Sequence, residues 1–191
     1  MTDDYRRLRD RVDAFAAEVS ERRRDDLSCG PGCSACCEAH PSVSVIEAAE
    51  VVRALDALAP ERREALRARA GREAEGDPRC VMLDDDGLCA VYEARPIVCR
   101  TQGLPLLYPP GFVPAEAVLG RTPKGDVTCC PLNFTRSQPS ARDVLDMGHV
   151  DTMLALIGRL VGSSGSPDAE SADAEARFSL AALAGRGGPF R

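Results

Sequence analysis

Nine cysteines dominate the chemistry open to this chain, and four of them, Cys29, Cys33, Cys36 and Cys37, fall within the run C-G-P-G-C-S-A-C-C. The others are Cys80, Cys89, Cys99, Cys129 and Cys130. Thiols so close together oxidise, scramble or capture metal unless something holds them. In a reducing compartment the usual holder is a soft cation or an iron–sulfur cluster, for which thiolate is the preferred ligand. Cys33-x2-Cys36 has the spacing at which two thiolates clamp one ion, and tetrahedral zinc takes four ligands in all. All nine cysteines are therefore candidate metal ligands, for zinc, for iron or for an iron–sulfur cluster.

The count allows two arrangements. Nine thiols fill two tetrahedral sites with one to spare, or they hold a single iron–sulfur cluster and leave several non-ligands. Neighbours such as Cys36 and Cys37 strain a chelate ring on one ion, because successive side chains diverge along an extended backbone. The pair then serves two adjacent sites, bridges two metals, or contributes one ligand and one packed thiol. One of Cys129 and Cys130 is expected to be a non-ligand. Free cysteine also acts as a small buried hydrophobe, a reading that suits Cys89 better than the Gly-Pro loop.

The chain has two histidines, His40 and His149. His40 follows Cys37 by three residues and could serve as ligand or proton carrier, or simply as a polar loop residue. His149 reads as structural, so a Cys/His nucleophilic enzyme is disfavoured. Arg95 and Arg100 flank Cys99. Each could offset thiolate charge and donate to sulfur, or make an ordinary surface ion pair.

Composition narrows the partners. A formal net charge of −6 argues against nucleic acid or an anionic membrane. The charged stretch Met1–Asp26 has no apolar run of signal-peptide length, and nothing approaches a membrane span. The expected home is cytoplasmic, where structural disulfides are uncommon. An odd cysteine count also cannot pair fully.

The elements that must position these thiols are mostly helical. Leu8, Val12, Phe15 and Val19 make an amphipathic helix over about Asp3–Asp26, which Ser28 and Gly30–Gly32 stop. The first cysteine run then sits on a glycine-rich loop able to fold around an ion. Ser44 and Glu47 form a capping-box pattern for a second helix with Ile46, Ala49, Val52 and Leu55 inside. A third, highly charged helix starts near Pro60 and runs to about Glu75. Val81–Leu83 and Leu88–Tyr92 flank Asp84-Asp85-Asp86-Gly87 as a short hairpin with a polar turn. That turn lacks the oxygen ligands and spaced glutamate of an EF-hand. Gly103–Pro123 reads as extended segments and loops. A last helix is expected over Ala141–Val161, with Leu145, Val150, Met153, Leu154, Ile157 and Leu160 available for burial. Gly162–Ala176 reads as a polar linker, and the stretch around Phe178–Leu183 as a short docking helix or a frayed end. The expected organisation is a cysteine-cluster domain over 1–161, with its core motif at 29–134, followed by a linker and short C-terminal segment over 162–191.

The order of residues is similar to a known pattern. Cys29-x3-Cys33-x2-Cys36-Cys37, then Cys80-x2-Leu83, then Gly87-x-Cys89-x2-Tyr92-Glu93-x-Arg95-Pro96-x2-Cys99-Arg100, resembles the YkgJ-type CxxCxxCC cysteine-cluster family, described as zinc- or iron-chelating proteins. The resemblance extends from Cys29 to about Phe134. This chain departs from it by one extra residue between Cys29 and Cys33, and by offering both Cys129 and Cys130 where one later cysteine is usual. Metal chelation is what the resemblance implies, and some related domains occur in proteins linked to protein lysine methylation.

Together these readings give a mainly α domain with a small β-hairpin, an irregular metal-centred α+β fold. Its function is chelation of zinc or iron by thiolates converging on one site. The alternative is an iron–sulfur protein with a redox or protein-modifying role, with His40, Arg95 or Arg100 near the cluster. Whether the chain is an enzyme, and which protein it meets, stay open at this level.

Overall fold

The computed structural model describes residues 2–30, 32–38, 40–74, 76–163 and 176–186. The central part of the expected linker, 164–175, lies outside the described residues. Six α-helices and two small sheets are seen among the described residues. The chain divides into two compact units, one of Met1–Tyr5, Pro31–Pro96 and Ala155–Arg191, the other of Arg6–Gly30 and Ile97–Leu154.

In the first unit, helices α2 (Val45–Asp56), α3 (Pro60–Ala74) and α6 (Leu180–Ala184) supply most of the regular structure. The capping box forms as the sequence predicts. The Ser44 backbone N–H and hydroxyl both donate to the Glu47 carboxylate, at 3.0 and 2.8 Å, and Ser44 accepts from the helix in return. The buried face differs slightly from expectation: Ala48 and Val51 are inside with Ile46, Val52 and Leu55, whereas Ala49 is only half-buried. Strands β1 (Ser42–Ser44) and β6 (Arg177–Ser179) pair antiparallel, so the C-terminal stretch docks rather than frays. Leu180, Leu183 and Ala184 join Val43, Val51, Leu55, Leu66, Val81, Met82 and Val91 in one apolar core. Leu66 shows that the charged α3 is anchored by a single deep leucine.

The expected hairpin at Val81–Tyr92 is reduced to a turn. Leu83 and Cys89 make an isolated bridge, with Asp84 N–H donating to the Leu88 carbonyl and Ala90 N–H to Met82. Asp84 takes the N–H groups of Asp86 and Leu88 on its own carboxylate. That local side-chain bonding closes the turn and competes with a longer ladder.

The second unit carries α1 (Asp3–Arg22) from Arg6 onward, α4 (Ile97–Thr101) and α5 (Met147–Ser163) up to Leu154. The first helix ends four residues short of Asp26, its last turn tightening into a 3-10 turn over Arg24–Asp26. A four-stranded sheet takes two strands from Gly103–Pro123, the stretch expected to hold extended segments and loops, and two from beyond it. Its order is β3 (Gly120–Thr122), β4 (Gly125–Thr128), β2 (Leu106–Tyr108), β5 (Leu145–Asp146), with β2 and β5 parallel. Gly125 is required here. Its φ is +152°, and a Cβ would lie 2.0 Å from the Tyr108 carbonyl oxygen.

The last helix begins at Met147 rather than Ala141. Ser140 and Asp143 form a capping box on a 3-10 turn, Ala141–Asp143. The fully buried Asp143 carboxylate is taken by Arg22 Nε at 3.0 Å and Arg23 Nε at 2.9 Å. These tertiary partners hold the 141–143 turn apart from the helix, and Leu145–Asp146 is drawn into the sheet. Leu160, expected inside, is exposed.

Candidate metal centre

The cysteines sort by unit. Cys33, Cys36, Cys37, Cys80 and Cys89 belong to the first, and Cys29, Cys99, Cys129 and Cys130 to the second. None of the nine is joined in a disulfide.

In the first unit Cys36 and Cys37 sit half-buried on a 3-10 turn, Ala35–Glu38. The Cys80 backbone N–H donates to the Cys37 carbonyl at 2.7 Å. This bond ties the C-G-P-G-C-S-A-C-C loop to the start of the Asp-rich turn, more than forty residues away in sequence. Cys80 and Cys89 both rest against the apolar core. The thiols sense one another. Hydrogen bonding to Cys37, then burial and Cys37's charge, raises the Cys36 thiol strongly. Burial pushes Cys80 up to about 11, with Cys89, Glu73 and Cys36 adding to it. Cys89 is raised chiefly by burial and moderated by the Val91 backbone N–H and Arg95. Cys33 lies exposed on the loop ahead of the turn.

Two other side chains complete this neighbourhood. The Arg95 guanidinium lies 3.5 Å from the Tyr92 ring centroid and donates from Nε to the Tyr92 carbonyl at 3.0 Å. So held, it lowers the thiols of Cys36 and Cys89 by its charge. His40 Nδ1 meets Glu73 Oε1 at 3.1 Å. Glu73 is thus both His40's partner and a carboxylate acting on Cys80, a role its place on a charged helix did not signal.

In the second unit Cys29 follows the 3-10 turn after α1, and Cys129 and Cys130 follow β4. The backbone joins them closely. Phe134 N–H donates to the Asp26 carbonyl at 2.8 Å, Ser28 N–H to Asn133 Oδ1 at 2.8 Å, and the Ser28 hydroxyl to the Leu132 carbonyl at 3.0 Å. The buried Asn133 then donates through Nδ2 to the Gly103 carbonyl at 2.6 Å and to Cys29 Sγ at 3.2 Å. Cys129 is raised first by burial, then by Cys130 and Cys29. Asn133 carried no sequence signal, since an asparagine after a Cys-Cys-Pro turn is unremarkable in itself. Cys99 is on α4. Arg100 beside it makes a two-point ion pair with Asp13, at 2.8 and 3.0 Å. Of the two arginines flanking Cys99, then, Arg95 acts on thiols and Arg100 on a carboxylate.

Residues 28–108 match the CxxCxxCC family model. That segment is described as a "putative zinc- or iron-chelating domain" and covers under half of the chain. It includes Cys29 through Cys99 and stops before Cys129 and Cys130, short of the Phe134 limit that the resemblance implied. No curated protein and no solved structure matches the chain.

The donor chemistry of the CxxCxxCC segment fits zinc or iron: several thiols, a nearby guanidinium and N–H groups that can face sulfur. Among the described residues no three donors already stand in metal-holding geometry, so the fit lies in donor type and neighbourhood. No helix among the described residues is long and apolar enough to cross a membrane.

Proposed function

We propose that this protein chelates zinc or iron in the reducing cytoplasm through clustered cysteine thiolates. The observation that carries the reading is the 2.7 Å bond from Cys80 N–H to the Cys37 carbonyl. It ties the end of the first cysteine run to the start of the Asp-rich turn within the matched segment, with Cys36, Cys37, Cys80 and Cys89 close enough to act on one another's protons. A bound cation would take these thiols as thiolates, and Arg95 would offset part of their charge. His40, held by Glu73, is suited to stay near the site without ligating.

Such a site adds metal-binding free energy to folding. The Asp-rich turn has one bridge of its own, so it stands to gain most. Purification without oxygen followed by elemental analysis tests the proposal. Stoichiometric zinc in a colourless protein, or iron with acid-labile sulfide in a brown one, supports it and separates its two forms. Cys36→Ser should lower both metal content and melting temperature. A wild-type protein free of zinc and iron, or a Cys36→Ser variant unchanged in both respects, sinks it.

A further inference from the structure

The turn that follows β4 is more firmly determined than a surface loop requires. Phe134 is buried and holds φ at +53°, a conformation few non-glycine residues adopt. Its N–H bonds to Asp26, and Arg23 lies over its ring. Asn133 beside it uses both ends of its amide: Oδ1 accepts from Ser28, while Nδ2 donates to Gly103 and to Cys29 Sγ. Its N–H also donates to the Cys130 carbonyl at 2.9 Å. These bonds bring the Cys29 sulfur to the turn that bears Cys129 and Cys130, and N–H···S contact is what surrounds a thiolate ligand.

Spacing agrees with this separation. The family's name prescribes two residues between its first and second cysteines, and here three separate Cys29 from Cys33. Cys29 is out of step with Cys33, Cys36 and Cys37, and its shown partner, Asn133, is in the other unit's set of residues together with Cys29 itself.

We propose that the chain holds two metal ions, one in each unit, and that the second is bound by Cys29 together with one thiol of the Cys129–Cys130 pair, with Asn133 as the positioning residue. Cys99 is the fourth thiol of that unit. The inference rests on the chelation reading above and divides its ligands. Each thiol gives its proton to solvent as it takes the metal, and no electron changes hands.

The test uses the full chain, stripped of metal and reduced, with zinc(II) alone as probe and chelator competition as readout. Wild type should take two equivalents. Cys129→Ser/Cys130→Ser should take one, as should Cys80→Ser/Cys89→Ser, each with the helical circular dichroism retained. Asn133→Ala should keep both equivalents but weaken one by about tenfold or more. This variant leaves every thiol in place, so it still reports if a double variant fails to fold. A wild type with one equivalent that either double variant abolishes overturns the division and leaves chelation standing. Full zinc content in Cys129→Ser/Cys130→Ser, or an Asn133→Ala variant with both affinities unchanged, also overturns the second site. A wild type that takes up no zinc(II) here and carries neither zinc nor iron when purified without oxygen removes chelation itself.

Discussion

Replacing Gly103 by alanine probes the second cysteine group through a single methyl. Gly103 has φ +93°, and a Cβ there would lie 2.5 Å from Cys29 Sγ and 3.2 Å from Asn133 Nδ2. The backbone term alone costs about 1–2 kcal/mol, since an L side chain is disfavoured at positive φ. The contact with sulfur cannot persist, so Cys29 must turn away and release the Asn133 N–H, adding about 1 kcal/mol. The expected total is about 2–3 kcal/mol, or a fall in melting temperature of several degrees for a chain of this size. Cys29→Ala separates the two parts, because the Cys29 Cβ is 3.9 Å from the new methyl and is an ordinary contact. In that background Gly103→Ala should cost the backbone term and the close approach to Asn133 Nδ2, both of which are common to the two backgrounds. The double-mutant cycle should therefore show a coupling of about 1 kcal/mol. Urea unfolding of the metal-free, reduced protein, followed by circular dichroism, measures it. Equal costs of Gly103→Ala with and without the Cys29 sulfur would refute the packing of Cys29 against Gly103 and the cradle drawn from it.

Three further outcomes are expected. Burial by itself would raise the Asp143 carboxyl, but Arg23, Ser140 and Arg22 outweigh it and hold it far below the usual carboxylate range. A depressed group of this kind stabilises the fold above its unfolded value of about 4 and loses that contribution as pH falls toward its folded value. Asp143→Asn should therefore cost about 2–3 kcal/mol at neutral pH, less than a fully buried pair because both arginines reach water. Its urea midpoint should also fall less than wild type's as pH drops from about 5 to about 2, the range in which the unfolded chain's carboxylate takes up its proton and the native one does not, and parallel curves would contradict this. Because burial pushes the Cys80 thiol up to about 11, it is protonated near neutrality and must release its proton on binding metal. Zinc affinity should rise with pH, and Cys80→Ser should release about one proton fewer per chain in an indicator titration. Arg95→Ala removes both the Tyr92 stack and the cation that lowers Cys36 and Cys89. Those two thiols should titrate higher in thiol-alkylation rate profiles, whereas Arg95→Lys should restore the charge without the stack.

Local signals carried the helices well. The Ser44/Glu47 box, the Leu8–Val19 periodicity and Pro60 are written in neighbouring residues, and α2, α1 and α3 form where those signals stand. The signals failed where long-range partners intervened. Ala141–Asp146 has helix-compatible residues, yet Asp143 is claimed by two arginines more than a hundred positions away, and Leu145 is claimed by the Pro105 carbonyl. The four-stranded sheet was likewise hidden, because its strands are two to four residues long and, apart from the local β3–β4 hairpin, pair across the chain. A strand that short has too little periodicity to announce itself.

The cysteine types and spacings by themselves determined that this protein's chemistry is thiolate chemistry. Ligand preference is a property of the sulfur atom and of the short C-x2-C reach, and both are local. Which thiols share a neighbourhood was decided only by tertiary structure. Cys29 and Cys33 are four residues apart yet fall in different units, and Cys37 and Cys80 are joined by one backbone hydrogen bond. Asn133, Glu73 and Gly103 acquire their roles the same way. Nothing about an amide, a carboxylate or a glycine specifies a thiol as its neighbour until the backbone closes around it.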